Sequence, residues 1–226
     1  MLTDTSGSTI AVLSRDRALG TGRWASILCA PPLPPRPREP GVPTAVMDRA
    51  FVTRWSQRYL DDDPAAAAKE DQLLTHVGSA VRQRGWYSKA ELIQVGEWKA
   101  RGRIRGRLAQ NSDAQVKEIT RTAFAAPDDR QHLILGTLHG VADPMASALL
   151  MVWDPKRHTV LDFRAFAALE RLQRRGLLKE EVPEREGLYP PYPQYLECCR
   201  SIARRLGVNL RDLDRALWKW NEMKMP

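Results

Sequence analysis

The chain has 226 residues and a formal net charge of +8, and its hydrophobic (43%) and charged (27%) fractions exclude wholesale disorder. Its three cysteines exclude a disulfide framework, and their spacing fits neither a zinc nor an iron–sulfur site. No apolar run approaches the roughly 18 residues of a membrane span. We therefore expect a cytoplasmic protein that does not enter a membrane and whose positive charge favours polyanionic partners.

Residues 1–46 differ from the rest of the chain. They lack sustained helical periodicity, and residues 31–43 (PPLPPRPREPGVP) have the highest proline density in the chain, with seven of its 16 prolines. Such a stretch favours extended polyproline conformations and cannot propagate a helix. We predict a disordered leader or stiff spacer here, with a docking ligand for a proline-binding partner as the alternative, and an organised domain over residues 47–226.

After the leader, apolar residues recur at helical spacing, which predicts an all-α protein. Phe51, Trp55 and Tyr59 lie four residues apart and form an aromatic stripe that ends before Asp61–Asp63 and Pro64. A Ser-x-x-Glu capping box over residues 88–91 predicts the start of another helix. The remaining helices are predicted at 65–83, 113–124, 129–138, 144–153, 163–175, 192–206 and 210–223.

Residues 138–142 (LHGVA) separate two of these helices and predict a tight hairpin. Gly140 supplies the turn, and Asp143 followed by Pro144 is a strong helix start, with the carboxylate as the expected cap. The free N–H groups at the start of the second helix would then lie beside an exposed loop. This arrangement suits a phosphate.

The segment Leu-His-Gly-Val-Ala-Asp-Pro-Met-Ala at 138–146 resembles the hairpin of the helix–hairpin–helix DNA glycosylases. In that family the hairpin reads roughly Leu-Pro-Gly-Val-Gly and precedes an apolar helix, a loop and an aspartate that opens the next helix. This chain repeats the order, with Asp162 lying 18 residues after Pro144, as in the family. The resemblance implies two helical subdomains with the active-site cleft between them, including a hairpin at 129–153, a catalytic segment at 160–175 and C-terminal helices at 190–223.

The resemblance also implies a function. The protein would flip a damaged or modified base out of double-stranded DNA and hydrolyse its N-glycosidic bond, in base-excision repair or in defence against phage DNA with modified bases. Asp162 would be the catalytic residue, because a carboxylate near C1′ stabilises an oxocarbenium-like sugar or activates water. Family members that cut the strand carry a lysine where this chain has Pro144. Its absence implies a monofunctional enzyme, unless Lys99 or Lys156 substitutes from another position.

Basic and aromatic residues near this segment are candidates for binding DNA and a flipped base. Residues 98–107 (WKARGRIRGR) carry five positive charges and no acid, and if they are helical, Lys99, Arg103 and Arg107 share a face. The loop at 156–158 adds a further basic patch. The predicted DNA-backbone residues are Leu138, His139, Gly140, Val141, Ala142, Arg103, Arg107, Lys156 and Arg157, and the predicted walls of the base pocket are Trp86, Tyr87, Trp98 and Lys99.

Departures from the family pattern leave alternatives open. His139 replaces the usual proline, Ala142 replaces the second glycine, and Asp143 adds negative charge where DNA phosphate would lie. These changes favour a non-catalytic helix–hairpin–helix DNA-binding protein, in which Asp162 only caps a helix. A third alternative is a helical interaction protein. For the glycosylase, the resemblance implies a monomer without an organic cofactor or a transition metal, with room for a monovalent cation at the hairpin carbonyls.

Overall fold

The computed structural model describes residues 47–223, and this part of the chain is helical, with no β-strand. The predicted all-α class is confirmed, while the predicted leader at 1–46 lies outside the described residues. None of the described helices is both long enough and apolar enough to cross a membrane. The helices are α1 (Arg49–Asp62), α2 (Pro64–Gln72), α3 (Gly78–Arg84), α4 (Lys89–Ala100), α5 (Arg105–Leu108), α6 (Asp113–Ala125), α7 (Asp128–Leu135), α8 (Asp143–Trp153), α9 (Phe163–Arg174), α10 (Tyr192–Leu206) and α11 (Leu210–Glu222).

The predicted helix at 65–83 is divided in the structure. Pro64 not only ends the preceding segment but begins α2, because its fixed φ suits the first helical turn, and the carboxylate of Asp63 accepts a hydrogen bond from the backbone N–H of Ala66 (3.0 Å). A π-helical turn over Leu73–Val77 then separates α2 from α3. Gly85, with φ +81°, ends α3 as predicted.

The basic segment after Trp98 is not a continuous helix. The capping box at Ser88 forms as predicted, but α4 ends at Ala100 because Arg101 (φ +50°) and Gly102 (φ +80°) adopt the left-handed conformation. The prediction that Lys99, Arg103 and Arg107 share one helical face is therefore wrong. They lie at the end of α4, in a turn and in the short helix α5, respectively.

Helix α8 is the centre of the core. Every residue from Met145 to Val152 is buried, and α8 packs against α3, α4 and α7. Glycines allow this close packing. A Cβ atom on Gly78 of α3 would lie 2.4 Å from the carbonyl oxygen of Val152, and one on Gly96 of α4 would collide with the side chain of Leu108.

Helices α1, α9 and α11 pack together through aromatic and ionic contacts. The rings of Phe51 and Trp220 meet edge to face with centroids 5.8 Å apart. Beside them, buried Glu70 of α2 accepts hydrogen bonds from Arg211 and Arg215 of α11. Burial alone would raise the pKa of Glu70, but the two guanidinium groups outweigh it and lower the pKa to about 2.

Candidate active site

The hairpin between α7 and α8 turns at Gly140, as predicted. Gly140 has φ +80°, which favours glycine, and a Cβ atom there would lie only 2.8 Å from the Cβ of Arg107. The backbone N–H of Val141 donates to the carbonyl of Leu138 (3.2 Å) and closes the turn. A residue with a side chain at 140 would therefore face both backbone strain and a collision.

Asn111 holds the hairpin in place. Its side-chain amide donates to the carbonyl of His139 (3.0 Å) and its side-chain oxygen accepts from the N–H of His139 (2.9 Å). The same amide also donates to the carbonyl of Leu108 (2.9 Å), which ties the hairpin to α5. Sequence reasoning missed this residue, because an asparagine before a capping serine carries no signal that distinguishes it from an ordinary loop residue.

The start of α8 leaves backbone donors available. Within residues 47–223, the backbone N–H groups of Gly140 and Ala142 donate no hydrogen bond. Ala142 has φ −102°, so alanine in place of the family's second glycine causes no backbone strain. The expectation that Asp143 caps α8 is wrong: Ala142 is the N-cap residue, no side chain caps the helix, and Asp143 begins its first turn.

The predicted hairpin residues differ in what they expose. The side chains of Leu138 and Val141 are buried in the core, so these two residues can meet a ligand only through their main chain. His139 and Ala142 are exposed. Contact with a phosphate here would therefore depend on backbone amides, as the resemblance implies.

One arginine of the basic segment, Arg107, lies beside the hairpin. Arg101, Arg103 and Arg107 are exposed, while Arg105 pairs with Glu97 of α4. Because a Cβ atom on Gly140 would lie only 2.8 Å from the Cβ of Arg107, the turn of the hairpin packs closely against this end of the basic segment. The sequence predicted the two features separately, and the fold brings them together.

The loop after α8 is less basic than predicted. Lys156 and Arg157 are exposed, and Arg157 pairs with Asp128 of α7. His158 is fully buried, and burial lowers its pKa to about 4, so its ring is neutral at pH 7. The prediction that His158 contributes to a basic patch is wrong.

Asp162 occupies the N-cap of α9 and faces Lys99. One carboxylate oxygen accepts from the backbone N–H of Arg164 (2.9 Å), and the other accepts from the Lys99 ammonium (2.8 Å). The side chains of Asp162 and Lys99 are 25% and 13% exposed, so solvent reaches both. Burial alone would raise the pKa of Asp162, but Lys99, aided by the amide and charge of Arg164, lowers it below its usual value.

Ser147 of α8 connects the hairpin helix to the Asp162 segment. Its hydroxyl donates to the carbonyl of Pro144 (3.0 Å) in the first turn of α8 and accepts from the backbone N–H of Leu161 (2.8 Å). Leu161 precedes Asp162 in the chain. The carboxylate segment is therefore attached to the same end of α8 as the hairpin.

Of the predicted pocket walls, Lys99 binds Asp162 directly, whereas Trp98 packs against Arg211. Trp98 is adjacent to Lys99 and lies 5.4 Å from the Arg211 guanidinium. Tyr87 is fully buried and donates to the carbonyl of Leu149 (2.9 Å), so its prediction as a pocket wall is corrected: it is a core residue.

Trp86 lies in a different environment from Trp98. Its ring is 4.4 Å from the Arg84 guanidinium and 5.0 Å from the Lys117 ammonium, and no contact within residues 47–223 joins it to Asp162. Of the four predicted wall residues, only Lys99 therefore has a contact with Asp162 within the described part of the chain.

Two residues that the sequence did not single out lie close enough to Asp162 for its charge to change their pKa. Burial raises the pKa of Asp214 to about 6 despite the Arg211 guanidinium, and the charge of Asp162 adds to the increase. Burial, together with Asp162, also raises the pKa of Tyr189 in the loop before α10. Both are distant in sequence, which explains why spacing gave no indication of them.

A cavity of about 810 Å³ opens between the loop after α8 and helix α10. Basic side chains that include Arg157, Arg200 and Arg204 line it, and Asp162 is not among the lining residues. This cavity is therefore separate from the carboxylate site. Among the described side chains, no three His, Cys, Asp or Glu residues assemble into a group that would hold a metal ion.

Comparison of the chain with protein-family profiles, with curated proteins and with solved structures found no match.

Proposed function

We propose that the protein is a DNA glycosylase of helix–hairpin–helix type, which flips a damaged or modified base out of double-stranded DNA and hydrolyses its N-glycosidic bond. The proposal includes the two-subdomain architecture of that family, with α1, α9 and α11 on one side of the cleft and the α8 core on the other. The excised base would be an oxidised or alkylated purine, or a hypermodified base of phage DNA.

One observation carries the proposal: a partly exposed, ionised carboxylate lies on a segment that Ser147 joins to the helix that follows a hairpin with free backbone amides. Asp162 is oriented by the Arg164 amide, and Ser147 attaches its segment to the first turn of α8. Arg107, at the end of the basic segment, packs against the turn at Gly140. A turn that bound phosphate through these amides, together with an acid on the segment joined to its helix, would supply the two elements that cleavage of a sugar–base bond within DNA requires.

The chemistry follows from the charge that develops at the sugar. As the bond to the base breaks, C1′ and the ring oxygen acquire positive charge, and a nearby carboxylate stabilises it. Asp162 also accepts a proton from the attacking water, which leaves an abasic site. Because Pro144 has no amine, release of the base in this scheme is hydrolytic and monofunctional.

Replacing Asp162 with asparagine tests this assignment. Purified protein is incubated with duplex oligonucleotides that each carry one oxidised, alkylated or hypermodified base, and hot alkali then reveals every abasic site. We expect Asp162→Asn to release the base roughly 100-fold more slowly, because the carboxylate charge is lost while the shape of the side chain is kept.

The matched control is Asp71→Asn, which removes an exposed carboxylate from α2. It should release the base at the wild-type rate. Equal rates for the wild type and Asp162→Asn would refute the proposed role of Asp162.

The basic surface has its own test. Binding of an undamaged duplex is measured as a function of salt, and we expect Arg107→Gln to lower the slope of log K against log [salt] by about 0.9, the value for one lost phosphate contact. Arg58→Gln, which removes an exposed arginine of α1, is the control. If both variants keep the wild-type slope, Arg107 does not contact the DNA backbone.

The ion pair between Lys99 and Asp162 favours a second candidate, a non-catalytic DNA-binding protein. In that protein the pair would only join α4 to α9, and the hairpin would still bind the backbone. Duplex binding without release of any base, and unchanged or tighter binding by Asp162→Asn, would support this alternative.

A further inference from the structure

We propose that the cavity between the loop after α8 and helix α10 binds a phosphorylated small molecule of the nucleoside di- or triphosphate class. The inference does not depend on the proposed function, because Asp162 does not line this cavity. It assigns the protein a second anion site, distinct from the hairpin, with a ligand other than DNA.

The shape of the cavity is the first argument. Its volume of about 810 Å³ is in the range of pockets that hold small molecules and leaves room for a nucleotide. The lining combines the loop at 155–157 with α10, the turn at Gly207 and the start of α11. Gly207 keeps the turn open, since nothing lies within 4 Å of the position that a Cβ atom would take there. A DNA duplex does not fit into a recess of this volume, so the ligand is a compact molecule.

The charge of the lining is the second argument. Five lining residues are basic and two, Asp128 and Glu197, are acidic, so the cavity has an excess of positive charge. The basic residues are Lys156, Arg157, Arg200, Arg204 and Arg211. Lys156 is exposed and has no ion pair with a carboxylate among the described residues. Excess positive charge within a recess attracts a ligand with several negative charges, such as a di- or triphosphate.

The orientation of two arginines is the third argument. One oxygen of Asp128 pairs with Arg157 and the other accepts from Arg200 (2.9 Å), which also donates to the carbonyl of Arg157 (2.6 Å). Burial alone would raise the pKa of Asp128, but the guanidinium groups lower it below its usual value, so the carboxylate stays ionised. Asp128 thus fixes both guanidinium groups while it balances the charge of only one. Fixed guanidinium groups bind phosphate with little loss of side-chain entropy.

The apolar part of the lining indicates what the ligand carries besides phosphate. Pro155, Ala203, Val208 and Leu210 form an apolar wall, which suits the sugar and base of a nucleotide better than an inorganic phosphate. Among the described residues, none of those that line the cavity is aromatic. The base would therefore have no ring to stack on, and we expect purine and pyrimidine nucleotides to bind with similar affinity.

The experiment is titration calorimetry of the full chain with ATP, CTP, ADP and adenosine. We expect ATP and CTP to bind with similar affinity in the micromolar range, ADP to bind more weakly, and adenosine, which has no phosphate, not to bind. Lys156→Gln removes the unpaired charge and should weaken ATP binding at least about fivefold. Glu197→Gln releases Arg204 from its ion pair and should strengthen ATP binding about threefold.

The matched controls make the same changes of charge at exposed residues outside the cavity. Lys179→Gln and Glu118→Gln should bind ATP like the wild type. Equal ATP affinities for Lys156→Gln and Lys179→Gln would overturn the inference, because the attraction would then come from the net charge and not from the cavity. Absence of nucleotide binding would also overturn it, as would binding of a single-stranded oligonucleotide, but not of ATP, that Lys156→Gln weakens. None of these outcomes bears on the proposed glycosylase, since no step of the experiment measures base release.

Discussion

At the residue scale, two separate features of the structure require a glycine at position 140. Its φ of +80° places it in the left-handed region, and a Cβ atom would lie 2.8 Å from the Cβ of Arg107. Gly85 shares only the first reason: its φ is +81°, and nothing lies within 4 Å of the position of its Cβ. A comparison of substitutions at the two positions therefore separates the cost of the collision from the cost of the left-handed backbone.

We predict that Gly140→Ala destabilises the fold more than Gly85→Ala. Left-handed strain alone costs about 1 kcal/mol, whereas strain plus displacement of α5 costs about 2–3 kcal/mol. Urea unfolding of the two variants measures the difference. Equal losses would mean that α5 moves away from the hairpin at no cost.

The residue scale also shows what a sequence can reveal. Gly140 and the capping box at Ser88 were predictable, because each depends on neighbours within a few positions. The clamp of Asn111 on the hairpin and the approach of Lys99 to Asp162 join residues 28 and 63 positions apart. Only the tertiary fold creates such contacts, so no local pattern indicates them.

At the scale of elements, the junction of α2 and α11 depends on a buried ion cluster. Glu70 accepts from Arg211 and Arg215, and the hydroxyl of Tyr59 donates to it (3.0 Å). The Glu70 side chain is almost completely buried, so its charge is compensated by these partners rather than by water.

We predict that Glu70→Gln destabilises the protein by about 3 kcal/mol at pH 7, because Arg211 and Arg215 lose the buried carboxylate that they share and keep only Asp214 and Asp212, respectively. Glu118→Gln breaks an exposed pair with Arg121 on α6 and should cost at most about 1 kcal/mol. Guanidinium chloride would mask charge effects, so urea unfolding is the appropriate measurement. A loss below 1 kcal/mol for Glu70→Gln would show that the cluster is not needed for packing of α2 on α11.

The elements themselves were largely predictable, and the exceptions have physical causes. The helical period identified α6, α8, α9, α10 and α11 to within two residues of their ends. The basic segment was wrongly assigned to one helix, because Arg101 adopts a left-handed conformation that is rare for a residue with a side chain. The π-helical turn at Leu73–Val77 likewise lacks a sequence signal.

At the scale of the whole molecule, buried ionisable groups make stability depend on pH in opposite directions. His158 has a pKa lowered to about 4 from 6.5, so the unfolded chain binds more protons between these values and stability falls as pH falls. Asp214 has a pKa raised to about 6 from 3.8, so its contribution increases as pH falls over a similar range. A plot of wild-type stability against pH shows only the sum of the two contributions and reveals neither of them separately.

Removing His158 separates its contribution from that of Asp214. Between pH 7 and pH 4 we expect the wild type to lose about 3 kcal/mol more stability than His158→Gln, the equivalent of the shift in the His158 pKa. His76→Gln, at an exposed position of the π-helical turn, is the control. Parallel stability curves for the wild type and His158→Gln, measured by urea unfolding at each pH, would contradict the assignment.

The hydroxyl of Ser147 has a consequence for how this region tolerates change in length. Because it joins the carbonyl of Pro144 to the N–H of Leu161 directly, the spacing between the turn and the acid does not depend on the loop between them. Lys156 lies at the outer, solvent-facing edge of that loop. We therefore expect a residue inserted there to bulge outward and leave the register at Leu161 unchanged, so the outer surface of the loop can change without moving Asp162 relative to the turn.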